Sequence, residues 1–209
     1  LLSKSPSFQI LDSVTSSTGS SSDITPGRRY IEIQKPSGYV NTSGITIEEL
    51  IGKKVILLDI LTYSCINCIR TFPYLNAWYD TYKDSGLEII GIHTPEFAFE
   101  KKLENVQTAM EKYGIKFPIV LDNEYATWNA YGNRYWPRKY LIDIEGNIVY
   151  DHIGEGGYEK KKKKIQELLA ERKDKLGDAI TIQKETVVLG NVEQPGSGRS
   201  QSPEIYFGA

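Results

Sequence analysis

The feature that most constrains the fold is an apolar run, Val55–Leu61 (VILLDIL), which only Asp59 interrupts. A run of this kind, without polar alternation, is typical of a strand that is buried on both faces of a sheet. Residues 66–84 follow as a predicted helix that Gly86 closes, and Leu87–Ile92 then predicts a second strand. Strand, helix and strand in this order predict a βαβ unit with two parallel strands.

The second half of the chain predicts helices and an antiparallel hairpin. A capping box at Thr46 and Glu49 predicts a short helix before the first strand. Further helices are predicted at 99–113, 124–131 and 158–172, a short extended segment at 117–121, and hairpin strands at 139–144 and 148–152. In the helix at 99–113, Leu103, Val106, Met110 and Tyr113 share one side. The predicted fold class is therefore α/β, with a mixed central sheet flanked by helices on both faces.

The two ends of the chain differ in composition from its centre. Residues 12–28 are rich in Ser, Thr and Gly, which cannot bury enough apolar surface to fold. We therefore expect a flexible linker at 1–30, a globular domain at 31–190, and at 191–209 a second linker with the start of a further domain. The chain begins at Leu1 and not at Met, and we expect it to be part of a longer protein.

Composition narrows the possible functions. With 25 basic and 27 acidic residues the net charge is −2, so nucleic acid is not an expected partner. No apolar run reaches the roughly 18–20 residues that span a bilayer. The two cysteines are separated by two residues, whereas a disulfide scaffold needs more cysteines and a structural zinc site needs four ligands. Redox chemistry is therefore the leading use for these cysteines.

Cys65 and Cys68 are the predicted catalytic pair. Cys65 opens a helix, where partial positive charge and free N–H groups favour an anion, so the pKa of its thiol should be lowered. Cys68 lies one helical turn further on, within reach of a mixed disulfide formed at Cys65. This predicts that Cys65 is the nucleophile and Cys68 the resolving thiol.

Asp59 is the third predicted catalytic residue. A carboxylate within an apolar strand is costly to bury unless it is paired or protonated. It lies near the end of the strand that leads to the cysteines, so a raised pKa would let it exchange a proton with Cys68. The alternative is that Asp59 only caps a loop or pairs with a lysine.

The histidines and the lysine run are expected to have structural roles. His93 and His152 could be imagined as zinc ligands together with the two cysteines, but their spacing fits no common zinc motif, and no metal is expected. The five lysines at Lys160–Lys164 are expected to form an exposed, solvated face, with an anionic membrane surface as a weaker alternative.

Three sequence blocks, taken in order, carry a resemblance to a known family. They are LTYSCINCIRTFPYL (61–75), GIHTPEF (91–97) and ATWNAYGNRYWP (126–137). The chain resembles thioredoxin-fold proteins of the TlpA/ResA type, and most closely the extracytoplasmic domain of DipZ-like proteins, over about 45–172. One departure is Tyr63, which stands where thioredoxin itself has tryptophan.

The resemblance implies several properties of the site and its setting. It implies a redox-active Cys65–Cys68 disulfide with no further cofactor, a buried acid at Asp59, and a cis proline at Pro137 beside the dithiol. Substrate-binding candidates are Pro137, Trp136, Tyr63 and Trp128. It also implies an extracytoplasmic, membrane-tethered domain of the kind found in cytochrome c biogenesis. That domain would take electrons from a CcdA-like membrane domain and act on protein dithiols and disulfides.

Two other functions remain open at this point. Thr62 and Cys65 have the spacing of a peroxiredoxin site, which would make the protein a thiol peroxidase. However, Leu58 stands where the upstream proline is expected, and Arg70 is only a weak candidate for the peroxide-binding arginine. The third possibility is a non-catalytic module that docks a partner and uses the cysteines as a structural disulfide.

Overall fold

The computed structural model describes residues 28–179 and 182–183 of the chain. The linker and second-domain segment predicted at 191–209 lie outside the described residues, as does most of the linker predicted at 1–30. Residues 28–30 are described and lie against a hairpin turn, where Tyr30 N donates to Gly146 O at 2.9 Å.

The described residues form six strands and four α-helices. The strands are β1 (Gly38–Val40), β2 (Val55–Leu61), β3 (Leu87–His93), β4 (Ile119–Leu121), β5 (Arg138–Ile142) and β6 (Ile148–Ile153). The helices are α1 (Ile66–Tyr82), α2 (Leu103–Lys112), α3 (Ala126–Ala130) and α4 (Tyr158–Leu176). Short 3-10 turns lie at Glu48–Leu50, Lys83–Ser85 and Ala98–Lys101.

The strands form one mixed sheet in the order β1-β4-β3-β2-β5-β6. β2 pairs in parallel with β3 and antiparallel with β5, and every residue of β2 is buried. Alternate β2 side chains enter two apolar clusters, one of which includes buried residues of α1, α2 and α4, and the other those of α3. The predicted α/β class, the parallel βαβ unit and the antiparallel hairpin are thus confirmed.

Two elements differ from the sequence prediction. The helix predicted at 99–113 is divided into the 3-10 turn at 98–101 and α2, and Leu103 is 37% exposed and does not face the core. The helix is interrupted at Lys102, whose backbone is extended between the 3-10 turn and α2. Strand β1 was not predicted, since three residues at a sheet edge leave almost no periodic pattern.

The helices that frame the site agree with the predicted ones. α1 contains Pro73 and is followed by a 3-10 turn that ends at Gly86, whose φ of 105° is in the left-handed region that glycine favours. α4 runs beyond the predicted end to Leu176, and its apolar side faces the core. Among the described residues, no helix is both long and apolar enough to cross a membrane.

Candidate active site

Cys65 and Cys68 lie where the central strand passes into the first helix. β2 ends at Leu61, and after a three-residue loop Cys65 occupies the position immediately before α1. Cys65 is partly exposed, whereas Cys68, in the first turn of the helix, is fully buried. Both are free thiols. The two sulfurs therefore share one site, but only Cys65 is open to a substrate.

The surroundings of the two thiols separate their pKa values. The Cys68 thiol donates a hydrogen bond to the Cys65 sulfur, and the backbone N–H groups of Asn67 and Cys68 donate to it as well. These hydrogen bonds lower the pKa of Cys65 to about 7, although burial and the charge of Glu96 act in the opposite direction. Burial raises the pKa of Cys68 well above its usual range, and the charge of Asp59 contributes. The pKa of Cys65 changes in the direction that the sequence predicts, but its largest cause is the hydrogen bond from Cys68, and the N–H groups of the helix N-terminus contribute less.

Alkylation should therefore select Cys65. In the reduced protein we expect iodoacetamide to label Cys65 first, with a rate that follows one titration with a midpoint near pH 7. Cys68 should react at least about 100-fold more slowly at neutral pH, because two pKa units change the thiolate fraction by that factor. Peptide mapping after brief labelling measures this, and faster labelling of Cys68 would reverse the two assignments.

The loop before β5 forms the other wall of the site. The Trp136–Pro137 peptide bond is cis, and the carbonyl oxygen of Trp136 lies 3.9 Å from the Cys65 sulfur. The predicted cis bond and its place beside Cys65 are confirmed. The Trp136 ring donates to Thr94 O at 3.1 Å and packs on Trp128 with ring centroids 4.2 Å apart.

The predicted aromatic residues take different positions around the dithiol. Trp128 is only 8% exposed and belongs to the core, so it can act on a substrate only through Trp136, which it supports. Tyr63 is partly buried and stacks on His93, with ring centroids 5.5 Å apart. Tyr135 is 50% exposed beside Trp136.

Asp59 is paired with a lysine, which is one of the two alternatives raised from sequence. It is fully buried, and its carboxylate is 2.9 Å from the ammonium group of Lys139 on β5. Burial raises the pKa of Asp59, and the positive charge of Lys139 offsets this only in part. Since its charge also affects Cys68, Asp59 is both paired with a lysine and close enough to influence the resolving thiol.

The lysine run on α4 corrects a sequence expectation. Lys160 and Lys163 are exposed as predicted, but Lys161 is only 1% exposed. Its position in the first turn of α4 aims the side chain under the helix, and its amine donates to Gly156 O. The helical period places one lysine of the run on the buried side.

Glu100 is a site residue that the sequence interpretation missed. Its buried carboxylate accepts hydrogen bonds from Thr62 Oγ1 at 2.6 Å and from Ser64 Oγ at 2.5 Å, both in the loop that leads to Cys65. It also accepts from the backbone N–H groups of Glu96 and Phe97. Burial alone would raise the pKa of Glu100, but these hydrogen bonds outweigh it and lower the pKa. The only sequence signal is its spacing from Glu96, which suggests a local turn and no link to the dithiol.

The two histidines have polar contacts with groups other than the cysteines. His93 is buried at the end of β3, its Nε2 is 3.5 Å from Thr62 Oγ1, and burial lowers its pKa to about 4. His152 Nε2 lies 3.1 Å from Glu155 O. Within the described part of the chain, no group of three or more His, Cys, Asp or Glu residues could hold a metal ion.

A mixed sheet in which a Cys-x-x-Cys dithiol opens the first helix, with a cis proline beside it, defines a thioredoxin-fold thiol–disulfide oxidoreductase. The sequence matches the Redoxin family over residues 27–169, and the chain belongs to that family.

Known proteins agree with this class. Protein DipZ of Mycobacterium tuberculosis is 49% identical over 140 residues, which are 66% of this chain and 20% of DipZ. Thiol-disulfide oxidoreductase ResA of Halalkalibacterium halodurans is 38% identical over 125 residues, 60% of this chain and 67% of ResA. The solution structure of a thioredoxin-like protein in the oxidized form superposes with a TM-score of 0.63 at 26% identity, covering 70% of this chain and 99% of that one. The resemblance to the TlpA/ResA type and to DipZ-like proteins is confirmed.

Proposed function

We propose that this domain reduces or exchanges disulfides of other proteins through Cys65 and Cys68. The observation that carries the proposal is the difference between the two thiols: Cys65 is accessible with a pKa of about 7, and Cys68 is buried with a raised pKa. A thiolate is the attacking species in disulfide exchange, and an attacking thiol works best with a pKa near the ambient pH.

The reaction would proceed in two exchanges. The Cys65 thiolate attacks one sulfur of the substrate disulfide, so that a Cys65–substrate disulfide forms and the other substrate sulfur leaves as a thiolate, which takes a proton from water. Cys68 then loses its proton to Asp59 and attacks the Cys65 sulfur. The Cys65–Cys68 bond forms, the bond to the substrate breaks, and the second substrate sulfur leaves as a thiolate, which takes a proton from water. The substrate gains two electrons and the dithiol loses them.

A protein substrate suits the surface around Cys65. Ile66, inside the motif, is 57% exposed, and Tyr135, next to Trp136, is 50% exposed. The carbonyl of Trp136, 3.9 Å from the Cys65 sulfur, would accept a backbone hydrogen bond from an extended segment that carries the substrate cysteine. Pro137, Trp136 and Tyr63 are the proposed substrate-binding residues.

The setting proposed for this domain follows from its relatives. The chain spans 20% of the length of DipZ. We infer a longer protein in which residues 31–190 form an extracytoplasmic domain that receives electrons from a CcdA-like membrane domain. The segments 1–30 and 191–209 would connect it to neighbouring domains. The domain would pass those electrons to protein disulfides, and this reaction would serve cytochrome c biogenesis.

An assay with insulin tests this function against the two alternatives. With dithiothreitol as reductant, we expect the protein to accelerate insulin reduction strongly and to leave the consumption of hydrogen peroxide at its uncatalysed rate. The exposed side chain of Arg70 is paired with Glu155 at 3.2 Å. Faster consumption of peroxide than of insulin disulfides would indicate a thiol peroxidase. A reduction potential below about −300 mV, without insulin reduction, would indicate a structural disulfide.

A further inference from the structure

Most of the exposed apolar side chains in the described part of the chain lie at one edge of the sheet. β2 and β3 end at this edge, next to the dithiol, and β5 begins there, because Ile60 of β2 pairs with Arg138 of β5. Leu176 is exposed at the opposite edge, where its neighbour Lys175 pairs with Glu145 in the β5–β6 turn. The large apolar side chains that are exposed at the dithiol edge are Ile66, Phe97, Phe99, Leu103, Tyr135 and Ile153. Apolar side chains grouped on a surface mark interaction sites.

Phe97 and Phe99, in the loop after β3, form an exposed pair that we call the aromatic ledge. Each residue is 49% exposed, and the two rings stack nearly parallel with centroids 5.5 Å apart. Phe99 also packs against the partly buried ring of Tyr63, at a centroid distance of 6.2 Å. Tyr63 lies two residues before Cys65, so the three rings form a row that leads from the dithiol loop to the surface.

Hydrogen bonds hold the aromatic ledge against the loop that leads to the dithiol. The buried Glu100 carboxylate accepts from the Phe97 N–H at 2.8 Å and from the Ser64 hydroxyl at 2.5 Å, so one carboxylate joins the two loops. From the other side, the Asn105 amide of α2 donates to the Phe99 carbonyl oxygen at 2.8 Å. The backbone of the ledge is therefore fixed relative to the reactive thiol, while both of its rings remain exposed.

The size of the aromatic ledge matches one or two side chains of a partner. Two aromatic side chains that are half exposed offer roughly 200 Å² for contact. A stable interface between two copies of a chain needs about 800 Å² on each partner. The ledge is therefore better matched to a short segment whose cysteine meets Cys65 at the same time than to a second copy of the chain.

We propose that the aromatic ledge binds a bulky apolar side chain beside the cysteine of a protein substrate, and that it thereby selects disulfides with apolar flanking residues. This inference rests on the proposed disulfide exchange and adds its substrate class. The Trp136 carbonyl oxygen, 3.9 Å from the Cys65 sulfur, would hold the backbone of the substrate segment, and the ledge would hold one of its side chains. Removal of apolar surface from water on both partners supplies the preference.

Three peptide disulfides test this preference. Each is a symmetrical dimer of a short peptide with one cysteine, which is flanked on both sides by leucine, by serine or by aspartate. The reduced protein is mixed with each dimer, and chromatography measures the second-order rate at which free peptide appears. Division by the rate with dithiothreitol removes differences in the intrinsic reactivity of the peptides. We expect the unsubstituted protein to reduce the leucine dimer about tenfold faster, on this scale, than either of the other two.

Removal of the two rings should abolish the preference. In the double variant Phe97→Ser/Phe99→Ser, we expect the rate with the leucine dimer to fall about tenfold and the rates with the serine and aspartate dimers to change less than twofold. Phe99→Leu keeps an apolar side chain at this position and should keep most of the preference. Leu176→Ser removes a similarly exposed apolar side chain at the opposite edge and is the matched control, for which we expect no change.

Alkylation separates docking from a structural role of the rings. Iodoacetamide is too small to reach the aromatic ledge while it reacts with Cys65, so its rate should be the same in the unsubstituted protein and in the double variant. If the loss of Phe99 disturbed Tyr63 and the dithiol loop, alkylation and the reduction of all three dimers would slow together, and the selective role of the ledge would be wrong.

Two further outcomes would contradict the proposal. One is the same normalised rate with all three dimers in the unsubstituted protein. The other is sedimentation that shows a dimer of the unsubstituted protein and a monomer of the double variant, with the same peptide preference in both, which would assign the aromatic ledge to a second copy of the chain. Failure of the proposed function would appear differently, as inactivity of the unsubstituted protein towards insulin and towards all three peptide dimers.

Discussion

Replacing Cys65 by serine should abolish disulfide exchange, whereas replacing Cys68 by serine should stop the reaction at a mixed disulfide. The serine hydroxyl is not ionised near neutral pH, so Cys65→Ser lacks the attacking anion. Cys68→Ser keeps the accessible Cys65 thiol, which still attacks the substrate but finds no second thiol to release it.

Mass spectrometry of the intact protein measures both results. After incubation with a disulfide-bonded peptide, Cys68→Ser should carry one peptide per chain, which dithiothreitol removes, and Cys65→Ser should carry none. The paired variants are matched controls, since each retains one cysteine of the same motif. Accumulation of the adduct on Cys65→Ser, or normal turnover by Cys68→Ser, would contradict the order of the two steps.

The fold could be predicted from sequence where one local pattern determines burial. The apolar run Val55–Leu61 requires cover on both faces, and β2 does lie at the centre of the sheet with every residue buried. Gly86 ends the helical segment that begins after Cys65, as its left-handed φ requires. These predictions succeeded because the physical cause lies within a few residues of its effect.

The parts of the site that could not be predicted from sequence depend on contacts between segments that are distant along the chain. Lys139 meets Asp59 only because β5 pairs with β2, and Lys161 is buried only because that side of α4 faces the core. In sequence, Lys161 is one lysine among five, and nothing local distinguishes it from Lys163. A buried lysine in such a run can be recognised only once it is known which side of the helix faces the core.

Replacing Glu100 by glutamine should be the most destabilising of the carboxylate-to-amide changes near the site. The carboxylate accepts hydrogen bonds from the hydroxyls of Thr62 and Ser64 and from the N–H groups of Glu96 and Phe97, all of which are donors. Glutamine would turn an NH₂ group towards some of those donors and leave them unpaired in a buried site. We expect the free energy of unfolding to fall by about 3 kcal/mol, since hydrogen bonds to a charged group contribute about 1.5–3 kcal/mol. Denaturant unfolding measures this, with the exposed Glu111→Gln as a control that should change by less than about 0.5 kcal/mol.

The pH dependence of the same variant identifies the carboxylate as the cause. The folded-state pKa of Glu100 is below its unfolded value of about 4.3, so its stabilising contribution is fully present above that pH and is lost as the pH falls through the folded-state pKa. The difference in unfolding free energy between the unsubstituted protein and Glu100→Gln should therefore be constant above about pH 5.5 and shrink on further acidification. The loop of Thr62 and Ser64 leads directly into Cys65, so insulin reduction should slow in this variant as well. A free-energy difference that stays the same down to pH 3 would show that the carboxylate is not the group that holds this loop.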